Sequence, residues 1–249
     1  MRNGYFMMLV LAVPALAQDN PALPAVKAAI EAHGGAEALA KARTARMTAT
    51  GVIVLQGQEV KFNAVFAYAV PEKYRIDLTA EHMGAKMVAS QILNGKKVKI
   101  STKHNGTETV VDPKLKEETL QSVLYEEVRS LTPLLDAKKY TLKSEKDAEI
   151  NGNAVKVVMV SGNGLKDVKL FFDEKSNRLV KTQRRGFGKG AAGIVEVDEE
   201  AVFSDFKPFG KAVLPTVMAV YHDGKKFMSM TVTDLKFADK IDDKEFITD

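Results

Sequence analysis

Between Arg46 and Asp234 apolar and polar side chains alternate with a period of two, and tight-turn dipeptides cut the alternation into short runs. That is the pattern of half-buried antiparallel strands. In Val60 to Tyr68 the even positions Val60, Phe62, Ala64, Phe66 and Tyr68 are apolar, while Glu59, Lys61 and Asn63 oppose them. Tyr74, Ile76 and Leu78 alternate in the same way with Lys73, Arg75 and Asp77. Further runs are Met47 to Leu55, Met87 to Leu93, Val98 to Thr102, Val155 to Val160, Val168 to Phe172, Ile194 to Phe206, Val213 to Tyr221 and Phe227 to Phe237. Asn94-Gly95, Asn105-Gly106, Asn151-Gly152, Asn163-Gly164 and Asp223-Gly224 supply the positive φ angles of type I′ hairpins. About ten strands in meander order are expected, and a sheet of that size curls strongly.

Two stretches carry helical spacing instead. Pro24 to Ala32 places Val26 and Ile30 one turn apart and stops at Gly34-Gly35, with a second short helix over Ala36 to Arg43. The longer helix runs from Pro113 to Leu131, with Asp112 as N-cap and Thr132-Pro133 as its stop. Leu120, Val123, Leu124, Val128 and Leu131 form one apolar stripe along it, suited to lie over a concave sheet face.

The 249 residues are 45% hydrophobic and 27% charged, as in an ordinary globular chain. Met1-Arg2-Asn3, the apolar run Tyr5 to Val13 and Ala15-Leu16-Ala17 read as a signal peptide cleaved after residue 17. The mature chain, residues 18–249, is expected to form one domain that is exported and soluble. Removing Arg2 lowers the net charge from +4 to +3, too little for nucleic-acid binding. The apolar start is far shorter than the roughly 20 residues a membrane span requires. No cysteine is present, which excludes thiol chemistry and disulfides.

Candidate chemistry is sparse. Gly188, Gly190 and Gly193 match G-x-G-x-x-G, but a strand pattern follows Gly193 where a phosphate site needs a helix. The stretch from Arg184 to Ala201 reads as a flexible hairpin loop. His33, His82, His104 and His222 lack the short spacings of metal sites and are expected at the surface or in caps. Glu117-Glu118 and Glu126-Glu127 read as a solvated helix face. No G-x-S-x-G elbow occurs. Neither a catalytic residue, a metal nor a cofactor is expected, and the chain is read as no enzyme. The mature chain holds seven methionines, which suit an adaptable apolar surface.

Several segments resemble the periplasmic lipoprotein-carrier and outer-membrane lipoprotein-sorting (LolA/LolB-like) family. Tyr68-Ala69-Val70-Pro71-Glu72-Lys73-Tyr74-Arg75 is similar to the family's strand, Pro-turn and aromatic-bearing strand. Ile92-Leu93-Asn94-Gly95-Lys96-Lys97-Val98 looks like its apolar-[DN]-G-K hairpin, and Leu131-Thr132-Pro133-Leu134-Leu135 like its lid-region T-P motif. Phe171-Phe172-Asp173 through Leu179-Val180 resembles the late hairpin, and Asp242 to Phe246 the terminal segment. The resemblance implies a mainly β (α+β) curved antiparallel half-barrel with helices as a lid over a hydrophobic cavity. It also marks a departure: the family's carrier has an arginine before the turn proline that holds the lid closed, and Val70 stands there.

These readings together predict a periplasmic, non-enzymatic carrier or binding protein for an acyl chain, lipid or lipidated protein, with envelope membrane proteins as further partners. Phe62, Phe66 and Ile76 are expected on the concave wall, Leu120 and Leu124 on the lid, and Met87 and Met230 opposite them. The rival reading is an envelope protein–protein interaction module whose core is filled by its own side chains.

Overall fold

The computed structural model describes residues 20–55, 57–109, 111–190 and 193–248. The expected signal peptide and its cleavage point lie outside these residues. Two short helices come first, α1 (Leu23–Ala32) and α2 (Ala36–Ala42). A six-strand meander follows: β1 (Thr44–Leu55), β2 (Gln58–Ala69), β3 (Lys73–His82), β4 (Ala85–Asn94), β5 (Lys97–His104) and β6 (Thr107–Thr109). Helix α3 (Lys114–Arg129) and a 3-10 turn over Thr132–Leu135 separate this wing from the second. That wing holds β7 (Tyr140–Ser144), β8 (Ala148–Ile150), β9 (Asn153–Gly162), β10 (Leu165–Asp173), β11 (Leu179–Gly190), β12 (Gly193–Phe209), β13 (Ala212–His222) and β14 (Lys225–Phe237).

All described pairings are antiparallel, and the fourteen strands form one curved, unclosed sheet in the order β6-β5-β4-β3-β2-β1-β14-β13-β12-β11-β10-β9-β7, with β8 beside β9. Each wing is a meander, and the wings meet where β14 returns to pair with β1. The type I′ expectation holds at Asn105-Gly106, Asn151-Gly152, Asn163-Gly164 and Asp223-Gly224, where both residues have positive φ, whereas at 94–95 only Gly95 does. Met83-Gly84 forms another such turn, with Met83 largely exposed to solvent.

The strand count exceeds the expected ten because short or polar strands carry no clear alternation. The main correction is β11, which runs through Arg184 to Gly190 where a flexible loop was expected. Gly188 is there for close approach: a Cβ on it would sit 3.0 Å from both His222 Nδ1 and Val197 Cγ1. Side chains on neighbouring strands lean over this strand, so glycine serves packing here.

Alternation on β2 is as expected, with Val60, Phe62, Ala64 and Phe66 buried and Lys61, Asn63 and Val65 exposed. Part of the convex side of the first wing is covered by the C-terminal 3-10 turn at Asp243–Phe246. Fully buried Phe246 packs there with Ala67, Ile92 and Ile241, and Arg75 donates to the Glu245 carbonyl at 3.1 Å. On the concave side, α1, α2 and the 3-10 turn after α3 sit over the second wing. Val26, Ile30, Leu131 and Leu134 bury there against Val158, Val160, Leu170 and Phe172.

Candidate functional site

Over the first wing the helical cover is slighter: α3 packs against β4 and β5, where Thr119 Oγ1 lies 3.5 Å from Gln91 Oε1. The wing's concave side chains form a separate cluster of Ala49, Val60, Phe62, Ala64, Phe66, Ala80 and Met230, with Met47, Ile76, Leu78 and Met87 only partly buried around it. The strand register lines these residues up. Phe203 opposes Met218, Met218 opposes Met230, Met230 opposes Gly51, Gly51 opposes Phe62, and Phe62 opposes Ala80. One cross-strand row of mainly apolar side chains therefore runs across six strands, and such directly opposed pairs are the contact unit of a sheet.

Between this wing and the helix-filled one lies a cavity of about 300 Å³. Its walls are Met47, Phe62, Phe66, Ile76, Leu78, Met218, Met228, Met230, Val232 and Leu235 from the sheet. Leu39 from α2 and Leu131 from the segment after α3 close one side. A polar end is contributed by Arg43, Glu126, Arg129 and Ser130, with Tyr68 and Tyr74 beside them. Burial pushes both tyrosine hydroxyls to higher pKa, with the Glu126 carboxylate adding to the shift. Both phenols therefore stay protonated over the physiological range.

Arg129 is the most prominent polar group in the cavity. Its Nη1 donates to Glu126 Oε1 at 2.6 Å, and its guanidinium lies 4.5 Å from the Phe203 ring centre and 5.5 Å from that of Tyr125. Burial works against its charge, but the Glu126 carboxylate, with Tyr125 and Tyr74 beside it, outweighs this and holds the pKa above an arginine's ordinary value. The Nε groups of Arg43 and Arg129 are buried without a hydrogen-bond partner among the described residues.

The sequence-predicted residues divide. Phe62, Phe66, Ile76 and Met230 lie on the cavity wall. Met87 packs beside them in the same cluster without lining the cavity. The lid pair is corrected: Leu120 is 38% exposed, and Leu124 packs against the helix-filled core. The residues of α3 that reach the cavity are Glu126 and Arg129.

The inward face of α3 is more polar than its stripe suggested, and the expected solvated face is corrected with it. Thr119, Val123, Tyr125, Glu127 and Val128 are the buried positions. Glu127 is 1% exposed and accepts from the Tyr140 hydroxyl at 2.9 Å, with Arg43 Nη2 at 3.6 Å from its other oxygen. Glu118 binds Arg184 Nη2 at 2.5 Å, and Arg184 Nε donates to Glu199 at 2.7 Å. The Tyr125 hydroxyl bonds Thr182 Oγ1. Gln121 joins β10 by bonds of 2.9 Å to the Gly164 carbonyl and from the Lys166 N–H. Apart from Arg43 these anchors lie on the second wing, and Thr119 Oγ1 lies 3.5 Å from Gln91 Oε1 on β4 of the first.

His33 keeps the expected capping role at the end of α1, but buried at 4% exposure instead of at the surface. Its Nδ1 lies 2.7 Å from the Val213 carbonyl, which can only accept, so Nδ1 carries the proton. Nε2 then accepts from the Leu179 N–H at 3.2 Å. Among the described residues no three of His, Asp and Glu converge as a metal site, and no helix is long and apolar enough to cross a membrane.

No family model and no curated protein matches the sequence. Solved structures do match. A LolA superfamily protein from Nitrosomonas europaea superposes with a TM-score of 0.53 at 11% identity, covering 85% of this chain and 97% of its own. A DUF1329 family protein from Desulfovibrio piger gives a TM-score of 0.52 at 10% identity over 92% of this chain and 98% of its own. At such identity what is shared is the backbone architecture, and the chain has the same curved-sheet fold as these two proteins.

Proposed function

We propose that this chain is an exported, periplasmic, non-enzymatic carrier or binding protein that holds an acyl chain, a lipid or the lipid of a lipidated protein between its curved sheet and α3. The observation that carries the reading is the cavity of about 300 Å³ walled by phenylalanine, methionine, leucine, isoleucine and valine side chains. That size is at the lower end of ligand pockets, about 300–1,000 Å³. A water molecule's share of liquid volume is about 30 Å³, so a space of this size holds on the order of ten methylene-sized groups. It suits one acyl chain. At about 0.8 kcal/mol per buried methylene, ten groups contribute roughly 8 kcal/mol before the cost of association. Since that cost is at least about 4 kcal/mol, the chain alone gives only weak binding and the remaining contacts set the affinity.

Four of the mature chain's methionines, Met47, Met218, Met228 and Met230, line the cavity. Their flexible thioethers fit chains of different length and unsaturation. Native mass spectrometry and lipid extraction of the protein purified from its own compartment test the reading. Co-purifying acyl species are expected. Protein that carries none and takes up no acyl probe would replace it with an interaction module.

A further inference from the structure

We propose that the polar end of the cavity is a head-group subsite in which Arg129 binds the carboxylate or phosphate of a single-chain anionic amphiphile, with the chain lying along Phe66, Ile76 and Met230. The inference rests on the acyl-binding reading and adds the class of ligand.

Arg129 lines the apolar cavity, where an uncompensated charge is costly to desolvate. A guanidinium has five N–H donors in a planar fork that matches a carboxylate or phosphate with two parallel bonds. One donor of Arg129 is committed to Glu126, while Nε is buried with no partner among the described residues. Phe203 and Tyr125 hold the guanidinium on their ring faces, which fixes its plane before any ligand arrives. Glu126 leans outward, its side chain 35% exposed against 19% for Arg129, so it fills the subsite from the solvent side and an incoming anion takes its place. Arg43 adds a second cation to the same lining. Its Nη2 donates to the Val70 carbonyl at 3.0 Å and stands 3.6 Å from Glu127, and its Nε also lacks a partner among the described residues, so it adds positive charge at this end while Arg129, whose plane two rings hold, makes the paired contact.

Displacement of the neutral dye N-phenyl-1-naphthylamine from the delipidated full chain tests this, with palmitate, hexadecyl phosphate and hexadecanol as competitors. Palmitate or the phosphate is expected to bind about tenfold or more tightly than hexadecanol, the gain a charge-assisted pair gives. The stronger of the two identifies the head group. Arg129→Gln should remove that preference, with a far-ultraviolet circular dichroism spectrum like the wild type's showing that the variant is folded. Glu126→Gln should strengthen anion binding, since it removes the competing carboxylate. Equal binding of all three competitors, or an unchanged preference in Arg129→Gln, would overturn the subsite but leave the acyl cavity standing. Failure of every competitor, together with failure of the dye to bind, would overturn the acyl-binding reading itself.

Discussion

Arg184 is the residue whose loss should matter most for how α3 sits on the sheet. It is directly opposite Glu199 in the β11–β12 register, and it reaches up from the sheet to Glu118 on α3. The three side chains are 6%, 14% and 15% exposed for Arg184, Glu199 and Glu118. Burial opposes the Arg184 charge, but Glu199 and Glu118 outweigh it and raise the pKa. Burial likewise opposes the Glu199 charge, but His222 and Arg184 outweigh it and lower the pKa. The directions agree: the cluster is ionised and mutually dependent.

Arg184→Met keeps length and apolar bulk but leaves two largely buried carboxylates without their shared cation. Removing one partner of a buried pair costs about 3–5 kcal/mol. With the carboxylates about one-seventh exposed, roughly 3 kcal/mol is expected, a large part of an ordinary total of about 5–15 kcal/mol. Glu118→Gln leaves Arg184 its Glu199 bond and should cost only about 1 kcal/mol. Urea unfolding followed by far-ultraviolet circular dichroism at neutral pH measures both. The double variant should give a coupling energy of at least about 1 kcal/mol, since the two residues touch. Arg184→Met should also bind more hydrophobic dye in the native baseline, because the first half of α3 then loses Glu118's hold on the second wing and keeps the Gln121 bonds. A cost below about 0.5 kcal/mol, the level of an ordinary surface change, with no coupling would refute the reasoning and leave α3 held by its apolar contacts and its other hydrogen bonds.

Three further outcomes are expected. Gly51→Ala should lower stability by several kcal/mol, because its Cβ would stand 2.2 Å from the Ser229 carbonyl oxygen and 2.6 Å from Phe62 Cζ; an unchanged thermal midpoint would contradict the packing of Phe62. Val123→Ser should destabilise by about 2–5 kcal/mol, as loss of a buried aliphatic group does, while Leu120→Ser should be nearly neutral; thermal melts of the two variants decide which face of α3 is docked. Burial holds the His33 pKa below the usual histidine value, so the unfolded chain takes up a proton that the native state resists. The stability from His33 is then complete above about pH 6.5 and declines as pH falls below it. The advantage of wild type over His33→Gln in urea midpoints should therefore shrink from pH 7.5 to pH 5, and a constant difference would refute the assignment.

Where a signal is local, it was legible in the sequence. The faces of β2 and four hairpin turns needed only neighbours in the chain. Features that failed depend on distant partners. The inward face of α3 is turned toward Thr119, Val123 and Glu127 and away from Leu120, because Glu127 finds Tyr140, Glu118 finds Arg184 and Tyr125 finds Thr182. No helical periodicity contains those partners, since a buried glutamate and an exposed one look alike until the fold supplies a donor. Strand β11 failed for a related reason: Gly188 leaves room for His222 and Val197, residues set beside it only by the register. The polar cavity end combines both difficulties. Arg129 lies in the last turn of α3, where a cation is favoured by the helix dipole in any case, so nothing local marked it.

The unequal filling of the two wings ties fold to function. Over the second wing, two helices and a 3-10 turn occupy the concave space, and Leu131, Leu134 and Phe172 are almost wholly enclosed. The first wing is covered at one end of its convex side by Phe246 and its neighbours, while on its concave side α3 packs against the outer strands β4 and β5 and the strands nearer β1 are lined largely by their own side chains. Those chains line more than they fill. The Phe62 ring lies across Gly51, as the 2.6 Å approach to a would-be Cβ requires, so it covers the wall instead of standing in the hollow. Ala49, Ala64 and Ala80 on the same face add no height. A self-filled core would place large side chains at those positions, since interiors otherwise pack to the density of organic crystals. Small residues beneath flattened rings, with a cation at one end, match a chain-shaped guest with a charged head better than they match a finished core.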